Sequence, residues 1–394
     1  MSEVARVPQL RFPEFSNEWE KNKLGNLAVI KSGISPSKYE LKTTGSLPFL
    51  KVEDLNNCRK YQFNSRVYSE SLKNSINKNS VIFPKRGAAI RLNKVRINKV
   101  AALMDSNLMA LLPNTELLNT EFLYYKIMLD GLYKIADTST IPQINNKHIL
   151  PYKLNLPILP EQQKIAAFLT AVDNKIEQLS KKQELLGEYK KGLMQQIFSQ
   201  AIRFKADDGS EFPDWEEKNG NEIFDNISNK NHDSDLPILA ITQEHGAIPR
   251  DLINYKMTVS DKSVSSYKVV ETGDFIISLR SFQGGIEYSN YKGICSPAYI
   301  ILRPAIEIEK KFYKYYLKTY RYIQDLNRKL EGIRDGKMVS YKYFSEIKLP
   351  YPSISEQAKI ANFLSSIDNK IEQVGKQLRE SKQFKKALLQ QMFV

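Results

Sequence analysis

The hexapeptide DNKIEQ occupies Asp173–Gln178 and returns at Asp368–Gln373, an offset of 195 in a chain of 394 residues. The match extends in both directions. EQQKIAAFL from Glu161 aligns with EQAKIANFL from Glu356, and YKKGLMQQIF from Tyr189 aligns with FKKALLQQMF from Phe384. A fixed offset marks a duplicated unit, and this offset is too long for a solenoid repeat. Weaker echoes fill the rest of each half. FPEFSNEW (Phe12–Trp19) resembles EFPDW (Glu211–Trp215), and LPFLKVEDL (Leu47–Leu55) resembles LPILAITQE (Leu236–Glu244). NSVIFPKRG (Asn79–Gly87) resembles GDFIISLRS (Gly273–Ser281), which sets Arg86 opposite Arg280. The chain is one large module written twice, part of it held nearly constant and part of it divergent.

The constant parts predict long helices. Pro160 suits a first helical turn, where a missing N–H costs nothing. Ser353 and Glu356 have capping-box spacing. Apolar residues fall at Ile165, Leu169, Val172, Ile176, Leu179, Leu186, Leu193 and Ile197, and at Ile360, Leu364, Ile367, Ile371, Val374, Leu378, Leu388 and Met392. Steps of four and three are the seam of a coiled coil. Lys190 and Lys385 interrupt it, as do Gln183 and Ser381, and Tyr189 and Phe384 are expected to take over there. Forty residues of helix span about 60 Å. Two such helices can pair with each other and space the modules; the other reading packs each onto its own domain as a terminal core helix. The expected fold is α+β: two mixed α/β recognition domains (1–156 and 201–351) separated by two long antiparallel coiled-coil helices (157–200 and 352–394), with an internal pseudo-two-fold repeat.

Each divergent segment is of ordinary domain size. Short apolar runs at 80–83, 101–104, 108–112, 275–279 and 298–302 predict strands. Residues 121–129 and 311–323 predict helices. The tyrosine-rich FYKYYLKTYRY (Phe312–Tyr322) reads as an amphipathic helix packed on a sheet, with base stacking as the alternative.

The net charge is +14, which points to a polyanionic partner. Two cysteines without CxxC spacing and three histidines without partners at ligand or triad spacing argue against a zinc site, a disulfide framework or a catalytic triad. MSEVARVPQLRFPEF lacks the apolar stretch of a signal peptide, and no run of 18 apolar residues exists, so a cytoplasmic location is expected. Catalytic motifs fail inspection. Gly332–Met338 (GIRDGKM) is one residue short of a phosphate-binding loop and ends in Met where a hydroxyl is needed. No NPPY or DPPY tetrapeptide occurs. PDWEEK (Pro213–Lys218) has acidic groups too close together for a nuclease site.

What remains is potential for reading bases. Lys85, Arg86, Arg91, Asn93, Lys94 and Arg96 lie in one stretch of the first half, where alternation suggests a strand or hairpin with a polar face. Arg280, Ser281, Gln283 and Asn290 occupy the matching place in the second. Thr138, Gln143 and Asn145 precede the first long helix; Arg334, Lys337 and Ser340 precede the second. Arg can bond guanine bidentately and Asn or Gln adenine, while Lys holds phosphate. The plain alternative is a solvated basic hairpin.

The doubled LPxxxEQxKIAxFLxxxDxKIEQ-like block (Leu156–Gln178, and Tyr351 through Gln373), its YKKGLMQQIF tail and the two module starts resemble the specificity subunits of type I restriction–modification systems. The resemblance covers essentially the whole chain. It implies a non-catalytic subunit whose two target recognition domains each read half of a bipartite DNA site. It implies paired helices that space the half-sites and dock modification subunits, expected to number two. Those partners would use S-adenosylmethionine to methylate adenine N6, and restriction subunits would use ATP and Mg2+; no cofactor is expected in this chain. Ile165, Leu169, Val172, Ile176, Leu179, Ile360, Leu364, Ile367, Ile371 and Val374 would pair the helices. Half-sites about one turn, ~34 Å, apart would suit that arrangement. The repeat would then serve partners with identical surfaces. Rival readings are a single-chain methyltransferase–nuclease, and a coiled-coil scaffold with non-specific DNA binding.

Overall fold

The computed structural model describes residues 7–394 apart from 138–140, 234, 254–263, 280 and 329–338. The chain is mixed α and β. It divides into two compact units, Met1–Ser180 with Lys376–Val394, and Lys181–Gly375.

Unit 1 begins with β1 (Glu20–Lys23) and β2 (Ala28–Ser32). After β3 (Leu47–Leu50), β4 (Tyr61–Gln62) and β5 (Tyr68–Ser69) come β6 (Val81–Pro84), β7 (Arg96–Asn98), β8 (Leu103–Met104) and β9 (Leu108–Pro113). The main sheet has the order β2-β9-β6-β7-β4, beside a smaller β5-β3-β8 sheet. Val81, Ile82 and Phe83 are all buried, the signature of a strand covered on both faces. Helix α1 (Thr120–Asp130) is capped by Asn119, whose side chain accepts from the amides of Glu121 and Phe122. A short α2 (Asn146–Ile149) leads to β10 (Lys153–Leu156), which pairs antiparallel with β1 and delivers the chain into α3 (Leu159–Phe198).

Unit 2 repeats the plan. β11 (Glu216–Asn219), α4 (Gly220–Ile223) and β12 (Phe224–Ile227) open it. The hairpin of β13 (Leu239–Thr242) and β14 (Gly246–Pro249) follows, then β15 (Lys268–Val270), β16 (Phe275–Ile277), α5 (Ser281–Gly284), β17 (Glu287–Tyr288), β18 (Gly293–Cys295) and β19 (Ile300–Pro304). The sheet order β12-β19-β16-β17 matches β2-β9-β6 of unit 1 along its first three strands. Two helices, α6 (Lys310–Tyr316) and α7 (Tyr320–Arg328), occupy the tyrosine-rich run. Helix α8 (Tyr341–Ser345) and β20 (Lys348–Tyr351), paired with β11, lead into α9 (Ile354–Gln391).

The run at 311–323 is therefore two helices. Thr319 divides them: its Oγ1 accepts from the Tyr322 amide at 3.3 Å, the bond that starts a helix. Phe312, Tyr313, Tyr315, Tyr316 and Tyr322 are buried, so these rings are core and not a stacking platform. Residues 91–99 form no hairpin of their own. A turn carries Asn93 at φ +47, a left-handed conformation that asparagine tolerates, and β7 then joins the main sheet.

The seam residues at the start of each long helix are domain core. Ile165 and Leu169 pack with Trp19, Phe122, Leu388, Met392 and Phe393, with Val172 at the edge. Ile360, Leu364 and Ile367 pack with Ile197, Phe198 and Phe312, with Ile371 at the edge. Each such side chain contributes about 1.5–3 kcal/mol on burial. Ile176, Leu179 and Val374 are also buried. The capping box at Ser353 is only half made. Its Oγ accepts from the Glu356 amide at 3.3 Å, but the Glu356 carboxylate is committed elsewhere.

Candidate nucleic-acid interface

The constant block builds the platform. Glu161 and Glu356 are fully buried and hold Arg11 and Arg203 respectively. Arg11 donates through Nε and Nη2 at 2.7 Å each; Arg203 donates through Nη2 at 3.0 Å and Nε at 3.4 Å. Gln162 donates to the carbonyls of Leu117 and Pro157 and accepts from the amide of Asn119 at 2.9 Å. Gln357 donates to Pro352 O and accepts from the amide of Glu309 at 3.0 Å. Phe12 meets Phe168 edge-on, and Phe204 meets Phe363. The module starts thus correspond through the Arg-Phe dipeptides at 11–12 and 203–204, not through the Phe-Pro dipeptides that look alike in the sequence.

The Asp of each DNKIEQ is part of this platform. Asp173 Oδ2 accepts from Tyr125 at 2.7 Å, and Asp368 Oδ2 accepts from Tyr315 at 2.7 Å. Their other oxygens bind Lys385 at 2.6 Å and Lys190 at 2.5 Å. Each lysine also lies over the matching tyrosine ring. Lys190 and Lys385, the apparent flaws in the seam, are ties between the two helices within each unit. Tyr189 and Phe384 do not replace them; both are more than half exposed. The remaining identical residues, Asn174, Lys175, Glu177 and Gln178 with Asn369, Lys370, Glu372 and Gln373, are exposed.

On this platform unit 1 brings its two candidate stretches together. β6 ends at Pro84, and the next residues pair with the segment before α2. The Ile144 amide donates to Lys85 O at 2.8 Å, and the Gly87 amide donates to Pro142 O at 2.9 Å. Arg86 and Gln143 form the bridge between them. With its amide oxygen turned to the guanidinium, Gln143 accepts from Arg86 Nη2 at 2.8 Å and from Nε at 3.2 Å. Arg86 and Arg91 are exposed, Lys94 half-buried. Burial lowers the Lys85 pKa, and the neighbouring Arg86 lowers it further.

Other candidates have internal work. Asn93 donates to Met128 O at 3.1 Å. Arg96 donates from Nε to Cys58 O at 2.8 Å and from Nη1 to Val95 O at 2.7 Å. The Asn145 amide donates to His148 Nδ1 at 3.1 Å where α2 begins. In unit 2, Ser281 is buried and its Oγ accepts from the Ser278 amide, while Ser340 caps α8. Gln283 and Asn290 are exposed. Thr138, Arg280, Arg334 and Lys337 lie outside the described residues.

Sequence reasoning missed Tyr125, Tyr315, Arg11 and Arg203. The signals were present: two Arg-Phe dipeptides, and a tyrosine at matching places in two helices.

Comparison with known proteins agrees with the doubled plan. The family model described as the type I restriction modification DNA specificity domain matches twice, at residues 16–186 and 213–380. The type I restriction enzyme MjaVIII specificity subunit of Methanocaldococcus jannaschii is 26% identical over 96% of this chain and 92% of its own length. The putative MjaX specificity subunit of the same organism is 26% identical over 95% of this chain and 93% of its own. Among solved structures, the S subunit of a type I restriction–modification system from M. genitalium aligns with a TM-score of 0.60 at 18% identity, covering 98% of this chain and 99% of that one. A chain from a study of type I complex assembly and conformational transition aligns with a TM-score of 0.57 at 17% identity, covering 94% and 96%. Two matched domains on two equivalent platforms show that the chain belongs to the type I restriction–modification DNA specificity family.

Proposed function

We propose that the protein is the DNA-reading specificity subunit of a type I restriction–modification complex, each unit recognising one half of a bipartite site. One observation carries the reading: the Arg–Glu, Gln–backbone and Tyr–Asp–Lys contacts of the platform recur in both units, while the loops above them carry Arg86 and Gln143 in one unit and Gln283 and Asn290 in the other. A common frame with different polar tips suits two different half-sites.

The chain itself performs no chemistry in this reading and holds no cofactor. S-adenosylmethionine belongs to modification subunits, and ATP and Mg2+ to restriction subunits. The exposed copies of Asn-Lys and Glu-Gln in DNKIEQ offer two like surfaces for two modification subunits. The long helices run as an antiparallel coiled coil that sets half-site spacing; the reciprocal Lys385–Asp173 and Lys190–Asp368 pairs support that arrangement. No described helix is long and apolar enough to cross a membrane; we place the complex in the cytoplasm, with the DNA.

The test is the methylome of a host expressing this chain with its cognate modification subunit. The expected result is a split motif bearing N6-methyladenine that disappears when this gene is deleted. Methylation that persists without the gene, or none despite assembly of the complex, would overturn the reading.

A further inference from the structure

The geometry points to Arg86 as the reader of a guanine in the half-site of unit 1, with Gln143 as the residue that positions it. This inference rests on the proposed DNA-reading function. A guanidinium has five N–H donors in a planar fork. Gln143 engages one edge, Nε with one hydrogen of Nη2, at 3.2 and 2.8 Å. The opposite edge keeps one N–H on Nη1 and one on Nη2, side by side. That pair matches guanine O6 and N7 in the major groove.

The surroundings suit a base contact better than a phosphate contact. Arg86 is exposed at a single bridge between two loop segments, held on either side by the Ile144–Lys85 and Gly87–Pro142 backbone bonds. The next residue, Gly87, has φ +80, and a Cβ built there would meet nothing within 4 Å. Ala88 and Ala89 follow, so the side chains immediately after Arg86 in the chain are small. A phosphate needs only positive charge nearby. A neutral amide that fixes the plane of the guanidinium serves a directional acceptor pair.

Gln143 thereby has a role different from direct readout. An amide that spends its oxygen on Arg86 presents no adenine-reading pair of its own. It restricts the rotamers of a long side chain, which lowers the entropy lost on contact.

The test uses the full complex with modification subunits. Arg86→Lys keeps the charge and removes the fork; Gln143→Ala removes the support; Gln143→Glu keeps two acceptors. Motifs are read from methylomes, and binding is measured on duplexes carrying each base at the affected position. The expected result for Arg86→Lys is loss of discrimination at a single G·C pair of one half-site, by about 5- to 150-fold, with the other half-site and the size of the complex unchanged. Gln143→Ala should lose several-fold at the same pair, and Gln143→Glu should restore it. Uniform weakening on all sequences, or relaxation at a pair that is not G·C, would overturn the inference and leave the specificity-subunit reading standing. A wild-type complex with no split motif would overturn both.

Discussion

In unit 1 the ammonium of Lys60 fills the junction between α1 and α3; in unit 2 the ammonium of Lys314 approaches the equivalent tyrosine from α6 itself. Lys60 donates to Tyr125 at 2.9 Å and to Thr170 at 2.7 Å, and it lies 3.5 Å from Glu121. Lys314 lies 5.7 Å from the ring centres of both Tyr288 and Tyr315. Beside it opens a cavity of about 960 Å³, lined among others by Lys190, Glu287, Tyr315 and Asp368. The Tyr, the Asp, the hydroxyl on the long helix (Thr170 or Ser365) and the lysine from the other helix are common to both. Everything reaching the junction from the variable side differs. The difference marks where the duplicated frame ends and divergent sequence begins: at the junctions of α1 and α6 with the long helices, where Lys60 reaches Thr170 in one unit and Lys314 lies beside a cavity in the other.

The largest test of the comparison is removal of the buried carboxylates. Glu161→Ala should destabilise unit 1 by about 3–5 kcal/mol, because it strands the Arg11 guanidinium. Glu356→Ala should lie at the low end of that range, since Arg203 is the more exposed arginine and its bonds are longer. Urea unfolding of the two variants decides; equal losses would mean that the difference in geometry carries no energy.

The next effect concerns the tyrosine hydroxyls. Tyr125→Phe removes partners from both Asp173 and Lys60 and should cost about 2 kcal/mol, whereas Tyr315→Phe should cost about 1 kcal/mol. The reverse order would show that Lys60 adds nothing to the junction.

A smaller effect follows from acidity. Burial lowers the Lys60 pKa to about 8, although Glu121 and Asp173 oppose the shift. In the unfolded chain the same lysine titrates near 10.4. Between about pH 8 and 10 the unfolded state therefore binds more protons than the folded state, and stability rises with pH. The gain is at most about 1.4 kcal/mol per pH unit. Lys60→Met should abolish that slope in unit 1; an unchanged slope would assign it to another group.

The smallest effect sharpens the comparison from the other side. Lys164–Glu14 and Lys359–Asp207 occupy equivalent places at the surface. Lys359→Ala should leave the unfolding midpoint of unit 2 unmoved, as exposed pairs do. A clear drop would mean that this repeated pair helps to hold the platform together.

Much of the fold was legible because the duplication samples it twice. Strand positions followed from apolar runs such as Val81–Phe83, and the long helices from their three-four spacing. The heptad pattern could not say which neighbours an apolar residue meets, so Ile165 and Ile360 read as seam alone, although each shares its cluster with domain residues as well as with the other long helix. Lys190 and Lys385 read as flaws because pattern arguments treat charge as a break in a stripe. Their partners lie 178 positions away in one case, beyond any local window. The candidate site was legible in part. Arg86 and Gln143 stood out as residue types, but nothing local to either foretold that they would touch. Asn93, Arg96 and Ser281 share the composition of a reading loop, yet their polar atoms face the protein's own backbone.

The chain's two tryptophans fall one to each unit, at equivalent places and in unequal settings. Trp19 is buried and donates to Glu161 at 3.4 Å, while the indole N–H of Trp215 is buried with no partner among the described residues. The molecule thus carries two built-in fluorophores that report on separate halves. Trp19→Phe leaves a signal from unit 2 alone, and Trp215→Phe a signal from unit 1 alone. Fluorescence of these two variants would resolve whether the halves melt together or in succession, with no label added to the chain.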